Sequence, residues 1–378
     1  MPNPEGGEIH RDENGQASGL LSEAAAVTLV WPHIAKVAPM EEKLSAIRQA
    51  IQAYTASGYT GLVEMAMDEN AWEALQEYRK QETCPMRFAV HWLISPRKTE
   101  AEVLAQMDRA IELNRLFNAE TSPYCRVVGV KVIGDGIIDG CTAGLTEPYT
   151  SNGVSCEPIW SLKELSIVVK KADAAGLQCA LHAIGDKTIK VAIDALEQNA
   201  TPGGRHRIEH LELASPEDAA RLGQLGITAS IQPVHADPAI LRAWPSLLGS
   251  ARCERAFAYT EFANGGAVLA LGSDAPSAPH PPLRNMYTAT TRRSAREPEL
   301  QDRVNPHFAL KLAAAIAGGT EGSAYSCFAD GWAGKLEAGR SADFAVVDME
   351  WDADKLLQAN VVETWFEGRK VFDAGSMA

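Results

Sequence analysis

The sequence lacks the features by which several common classes of protein are recognised. No stretch reaches the roughly 20 apolar residues that a membrane-spanning helix needs, and no basic segment followed by an apolar run opens the chain. The glycine patterns of dinucleotide-binding folds, phosphate-binding loops and nucleophile elbows are also missing. These absences argue against a membrane protein, a dehydrogenase, a nucleoside triphosphatase and a serine hydrolase.

The sequence also has fewer basic than acidic residues. The 35 Lys and Arg residues face 49 Asp and Glu residues, which gives a formal net charge of -14. Such a chain repels nucleic acid and anionic membranes, so we expect a small-molecule substrate as its partner. The seven cysteines are odd in number and form no C-x-x-C pair, so we expect free thiols and a cytoplasmic location. The formation of a homo-oligomer is left open.

Between residues 58 and 276, short β-rich apolar runs alternate with longer segments of helical periodicity. The runs lie at 60–67, 86–94, 125–136, 177–186, 206–213, 227–235 and 267–276. This alternation predicts about seven βα units around a parallel sheet, one fewer than the eight that close a (β/α) barrel. A doubly wound open sheet is the alternative, because the number of strands alone does not exclude it.

The two ends of the chain depart from this alternation. Residues 1–20 are polar and rich in turn-forming residues, which predicts a loop or a frayed end. We expect residues 21–327 to form the barrel. Strand-like segments separated by Gly and Asp turns then predict a small β module over residues 328–378.

Four unusual polar residues fall near the carboxyl ends of predicted strands: Lys131, His182, His210 and Asp274. In a (β/α) barrel, side chains from these strand ends converge on the active-site face. Neutral imidazoles are zinc ligands, and a catalytic zinc keeps about three protein ligands and one open position for water. The set therefore predicts metal-activated water as the nucleophile, with Asp274 as its general base.

Each of these residues alone has an ordinary structural explanation. A histidine at a strand end is more often a hydrogen-bonded core residue, a lysine there is usually a solvated charge, and Asp274 after Ser273 is typical of a helix N-cap. His235, which ends the strand after that of His210, is a candidate for substrate binding, with a polar strand terminus as the alternative. Asp135, which follows the strand of Lys131, is another candidate, with a turn that has no functional role as the alternative. Only the joint pattern favours a site.

The segments around these residues resemble the amidohydrolase superfamily and, within it, the family-3, YtcJ-like metal-dependent hydrolases. The matching segments are VKVIGDG (130–136), LHAIGD (181–186), RHRIEH (205–210), LGSDAP (271–276) and the tail AGKLEAGRSADFAVVD (333–348). The resemblance implies an α/β fold: a TIM-like (β/α) barrel, with part of a small β-sandwich formed by the C-terminal tail. It also implies hydrolysis of carbon–nitrogen bonds other than peptide bonds.

The resemblance further implies a role for each candidate residue. Lys131 is similar to a lysine that is converted to a carbamate and bridges two divalent metals. His182 and His210 are similar to the pair that binds the more exposed metal, and Asp274 to the aspartate that binds the buried metal and shuttles protons.

One element of the family pattern is missing. The first strand of the family carries an H-x-H pair, but no two histidines in this chain are separated by a single residue. We therefore expect an N-terminally truncated chain whose barrel lacks its first strand. Such a chain would hold one Zn2+ through Lys131, His182 and His210, and its activity would be impaired.

Two kinds of alternative remain open. A catalytically inactive barrel with a binding or regulatory role would keep the same fold. Among enzymes, deamination of a heteroaromatic ring ranks lower, because neither His182 nor His210 is followed by a glutamate three residues later. Metal-dependent hydrolysis of phosphoesters ranks third.

Overall fold

The computed structural model describes residues 1–4 and 7–377. Glu5 and Gly6, which belong to the predicted N-terminal loop, and Ala378 therefore lie outside the described residues. The chain divides into two compact units, of which the first comprises residues 1–50 and 68–84 and the second residues 51–67 and 85–378.

The described strands belong to three sheets. They are β1 (Gly7–Arg11), β2 (Ala17–Glu23), β3 (Gly61–Met67), β4 (Arg87–Ile94), β5 (Cys125–Ile133), β6 (Gln178–Ala183), β7 (Arg207–His210), β8 (Thr228–Ile231), β9 (Leu269–Leu271), β10 (Phe344–Asp348), β11 (Asn360–Phe366) and β12 (Arg369–Asp373).

The described helices are mostly short, and none of them is long and apolar enough to cross a membrane. They are α1 (Trp31–Val37), α2 (Met40–Ala56), α3 (Glu69–Gln81), α4 (Glu100–Leu116), α5 (Leu162–Ala174), α6 (Asp186–Asn199), α7 (Pro216–Gln224), α8 (Trp244–Leu248), α9 (Ser250–Cys253), α10 (Tyr259–Asn264), α11 (Pro282–Thr291), α12 (Leu312–Ala317) and α13 (Ser323–Tyr325). Short 3-10 or π-helical turns lie at Ala26–Val30, Pro233–Ala236, Pro306–Phe308, Gly318–Gly322, Ala353–Lys355 and Ala374–Met377.

Strands β3 to β9 form one parallel sheet in the second unit. Each strand pairs with the strand that follows it in sequence, and every pair is parallel. A doubly wound sheet would reverse its strand order at a switch point, whereas the described strands show no reversal. The prediction of seven βα units is confirmed, and the topology is that of an α/β barrel-like sheet.

Capping residues determine where helices of this sheet begin and end. Thr99 and Ser161 are the N-caps of α4 and α5, and each forms a capping box with a glutamate three residues later. Gly176 and Gly226 follow α5 and α7 with φ of 72° and 67°, a left-handed backbone that glycine adopts at low cost. Because every pair of neighbouring strands is parallel, their carboxyl ends meet at one edge of the sheet.

The predicted loop over residues 1–20 is wrong where the structure describes it. Strands β1 and β2 pair as an antiparallel hairpin in the first unit. Asp12 Oδ1 at its tip accepts hydrogen bonds from the backbone N–H groups of Asn14 and Gln16, and Gly15 has a φ of 75°. The turn-forming residues therefore make the tip of a hairpin, and its largely exposed strands carry no apolar alternation that would predict them.

The tail of the chain forms a three-stranded antiparallel sheet in the order β10-β11-β12. It belongs to the second unit and is joined to the parallel sheet by Arg87 of β4, whose guanidinium pairs with Asp343 and Glu367. A small antiparallel sheet therefore lies within the region predicted to form a β module. Its place in a β-sandwich, and the boundary between residues 327 and 328, stay predictions.

Candidate metal centre

The carboxyl ends of β5, β6 and β7 bring three of the predicted residues close together. In the sheet register, Ile133 pairs with His182, and Ala183 pairs with His210. The rings of His182 and His210 lie 4.3 Å apart between centroids and are inclined by 58°. Lys131 lies near the end of β5 and is buried.

The ring of His210 is held in its neutral form. Burial, together with the neighbouring charges of His182 and Lys131, keeps the pKa of His210 well below its usual value of about 6.5. A neutral imidazole is the form in which histidine binds a metal ion. His210 is therefore ready to act as a ligand without first losing a proton.

Two buried ring nitrogens of this cluster, His182 Nε2 and His210 Nδ1, form no hydrogen bond within the described part of the chain. His182 Nε2 lies 3.3 Å from Asp135 Oδ1, but without the alignment that a hydrogen bond requires. Buried polar atoms are rarely left without a partner. The two rings therefore fit a divalent metal ion, for which imidazole nitrogen is a common donor.

Lys131 lies in surroundings that favour its uncharged amine. Burial lowers the pKa of Lys131, although the carboxylates of Glu209 and Asp274 oppose the shift. An uncharged lysine amine is a nucleophile, whereas the ammonium form is not. The position therefore suits covalent modification of the lysine.

A buried ion pair on β7 lies close to this lysine. Arg207 Nε donates to Glu209 Oε1 at 2.6 Å, and Arg207 Nη2 donates to Glu209 Oε2 at 3.2 Å. The guanidinium also donates to Ser230 Oγ and Ser326 Oγ. Although burial alone would raise the pKa of Glu209, Arg207 and Lys131 hold it below its ordinary value. The interior of the sheet thus contains a fixed negative charge near the Lys131 amine.

The carboxylate of Asp135 accepts its hydrogen bonds from the backbone. It accepts hydrogen bonds from the N–H groups of Gly144, Ile184 and Gly185 at 2.9 to 3.1 Å, and the residue is 1% exposed. It therefore fixes the segments that follow β5 and β6 and faces the ring of His182. A role for Asp135 in substrate binding stays a prediction.

His235, the other candidate for substrate binding, lies between two carboxylates on the 3-10 turn that follows β8. Its Nδ1 is 3.3 Å from Glu212 Oε1, and its Nε2 is 3.6 Å from Asp274 Oδ2. Burial would lower the pKa of His235, but the two carboxylates raise it above its ordinary value. Asp274 is thus linked to the cluster through His235, and its side chain is 38% exposed.

Glu212 also belongs to this cluster, although the sequence patterns described above do not predict it. One donor atom from each of His210, Glu212 and His235 lies within 4.8 Å of the other two, and the rings of His210 and His235 are parallel to within 6°. The available signal was the H-x-E spacing over residues 210–212. The deaminase pattern considered above instead places the glutamate three residues after a histidine, where this chain has Leu213.

The chain turns sharply after β7 to place this glutamate. His210 and Leu211 have φ of 76° and 54°, and such left-handed backbone costs roughly 1–2 kcal/mol for a residue other than glycine. The turn is held by hydrogen bonds from Leu211 N to Ala183 O and from Phe257 N to Glu212 O. Backbone strain of this kind is concentrated at functional sites.

Known proteins are similar to this chain over nearly its whole length. The family model described as "Amidohydrolase family" matches residues 1–372. The chain is 30% identical to Protein LONG AFTER FAR-RED 3 of Arabidopsis thaliana, over 98% of this chain and 64% of that protein. It is 29% identical to the putative amidohydrolase YtcJ of Bacillus subtilis (strain 168), over 98% of this chain and 69% of that protein.

A solved structure is similar as well. The chain matches an uncharacterized metal-dependent hydrolase from Pyrococcus horikoshii OT3 with a TM-score of 0.73 and 25% identity, over 88% of this chain and 64% of that one. The chain thus spans about two thirds of the length of the proteins that it matches.

Proposed function

The chain belongs to the amidohydrolase family, and from that premise we propose that it is a metal-dependent hydrolase acting on non-peptide carbon–nitrogen bonds of small, amide-type molecules. The observation that carries the proposal is the pair of rings of His182 and His210, 4.3 Å apart and with two buried nitrogens that form no hydrogen bond among the described residues. A buried lysine and an accessible aspartate complete the set of groups.

We propose zinc as the metal, held by His182, His210 and a carbamate on Lys131. When bound, zinc would polarise the carbonyl of the substrate and lower the pKa of water. The uncharged amine of Lys131 attacks carbon dioxide, forms the new N–C bond and releases one proton, which leaves an anionic oxygen donor. Burial of Lys131 supports this step because it favours the uncharged amine.

The remaining residues would handle the substrate and the proton. The accessible carboxylate of Asp274 accepts a proton from water and returns it to the leaving amine. His235, 3.6 Å from that carboxylate, contacts the substrate beside it. The substrate is a small molecule, since a net charge of -14 disfavours nucleic acid and anionic membranes as partners.

The test combines metal analysis with a substrate screen. The chain is expressed with zinc and bicarbonate, bound metal is measured by elemental analysis, and small amides are compared with phosphoesters as substrates. We expect about one equivalent of zinc and hydrolysis of amides. Lys131→Ala should lose the hydrolysis and regain part of it when a short carboxylic acid is added, whereas the exposed Lys187→Ala should match the wild type.

Three results would count against the proposal. Zinc below about a tenth of an equivalent in the wild type would refute the metal site. Full activity in Lys131→Ala would refute the carbamate. Bound zinc without hydrolysis of any amide would favour the alternative of a catalytically inactive barrel with a binding role.

A further inference from the structure

We propose that His210, Glu212 and His235 form a second position for the divalent cation, which is complete without a carbamate on Lys131. The inference rests on the proposed function, because it concerns the same cation and shares His210 with the ligand set given above. In this second position, the cation would bind to the chain before Lys131 is modified.

The geometry supplies three donors of the right kind. One atom from each of the three side chains lies within 4.8 Å of the other two, and Glu212 Oε1 is 3.3 Å from His235 Nδ1. Two imidazoles and one glutamate make up a donor set that catalytic zinc sites use. The carboxylate of Asp274, 3.6 Å from His235 Nε2, lies beside the set.

The unpartnered ring nitrogen of His210, which this set would share with the one given above, is a second sign of a ligand beside the spacing of the three donors. His210 is 6% exposed, and its Nδ1 forms no hydrogen bond within the described residues. An ion pair between Glu212 and His235 would satisfy those two side chains, but it would supply no partner for His210 Nδ1. A cation shared by all three side chains accounts for the whole cluster.

A second histidine–carboxylate pair in the same unit shows what a structural pair looks like. His206 Nε2 is 3.2 Å from Asp173 Oδ1, at a distance similar to that between His235 and Glu212. His206 Nδ1, however, accepts a hydrogen bond from Cys179 N, so both of its ring nitrogens have partners. Asp173 therefore offers a matched control, with a histidine partner but no part in the cluster.

The side chain of Asn285 holds the turn that carries His235. Val234 N donates to Asn285 Oδ1 at 2.7 Å, and Asn285 Nδ2 donates to Gly272 O at 2.8 Å. The turn that carries His235 is thereby tied to the segment that leads to Asp274. Rigid support of this kind keeps ligands in place before the cation arrives.

The experiment measures zinc affinity in a background where Lys131 cannot be modified. Lys131→Ala is compared with Lys131→Ala/Glu212→Gln and Lys131→Ala/Asp173→Asn by competition with a chromogenic chelator. Cobalt absorption spectra report the ligand set, and thermal unfolding in EDTA checks that each variant folds. We expect Lys131→Ala to bind about one zinc. Adding Glu212→Gln should weaken binding by more than about 100-fold, beyond the roughly 10- to 100-fold of a lost outer contact.

The other outcomes separate this inference from the proposed function. If the wild type binds zinc and Lys131→Ala does not, the second position is refuted while the proposed function stands. A loss smaller than about 100-fold on adding Glu212→Gln, or an equal loss on adding Asp173→Asn, also overturns the inference. A wild type that binds no zinc refutes the proposed function and the second position together.

Discussion

Replacement of Glu209 by glutamine is expected to destabilise the protein strongly, although the two side chains have nearly the same shape. Arg207 and Glu209 are 5% and 4% exposed, and two hydrogen bonds of 2.6 and 3.2 Å join them. Removing one partner of a buried pair leaves the other charge uncompensated, at a cost of about 3–5 kcal/mol. Because glutamine keeps one acceptor oxygen, we expect a loss of about 3 kcal/mol in the free energy of unfolding.

Urea unfolding measures this loss. With an m value of about 3 kcal/mol/M, a loss of 3 kcal/mol lowers the midpoint by about 1 M. The control is Glu157→Gln, which breaks the exposed pair of Lys187 and Glu157 and should cost less than about 1 kcal/mol. Equal midpoints for the two variants would refute the reasoning. Replacing both charges, with Arg207→Met and Glu209→Leu, should restore most of the lost stability.

Three further predictions follow from particular contacts. Gly129→Ala places a Cβ 2.2 Å from the carbonyl oxygen of Gln178. We expect it to lower the free energy of unfolding, measured by thermal unfolding, by at least about 1–3 kcal/mol. The control Gly331→Ala, whose Cβ meets no atom within 4 Å, should lower it far less. Asp135→Asn weakens three hydrogen bonds from backbone N–H groups; it should cost at least about 2 kcal/mol and speed amide hydrogen exchange in the segments that it holds. Because the pKa of Glu209 is lowered in the folded protein, its carboxylate stabilises the fold fully above the unfolded pKa of about 4.3. This contribution to the free energy of unfolding is lost as pH falls through the folded pKa. The difference in urea midpoint between wild type and Glu209→Gln should therefore shrink in acid, and a difference that persists unchanged would contradict this assignment.

The parallel sheet was the most predictable part of the fold. Strands β4 to β8 are almost wholly buried, and all seven strands of the sheet read as apolar runs, so the apolar pattern located each of them. The hairpin at Asp12 was not predictable in the same way. Its strands are largely exposed, and turn-forming residues dominate the local sequence.

The site was predictable where its residues lie on strands, and less so where they lie on turns. Lys131, His182 and His210 could be placed because strand ends meet at one edge of a parallel sheet. The position of Glu212 depends on the left-handed backbone at His210 and Leu211. A left-handed backbone is uncommon for residues other than glycine, so the sequence does not predict it there. The substrate-binding roles of Asp135 and His235 stay predictions.

The placement of the candidate ligands on consecutive strands has a consequence for how the molecule assembles. Lys131, His182 and His210 approach one another only when three successive βα units have docked, so no local segment of the unfolded chain can offer the whole set. A cation that binds this set and not the unfolded chain would add about 4 kcal/mol to the free energy of unfolding when its concentration is a thousand times the dissociation constant. Uptake of a cation by this set of three during refolding would therefore report when β5, β6 and β7 come into register.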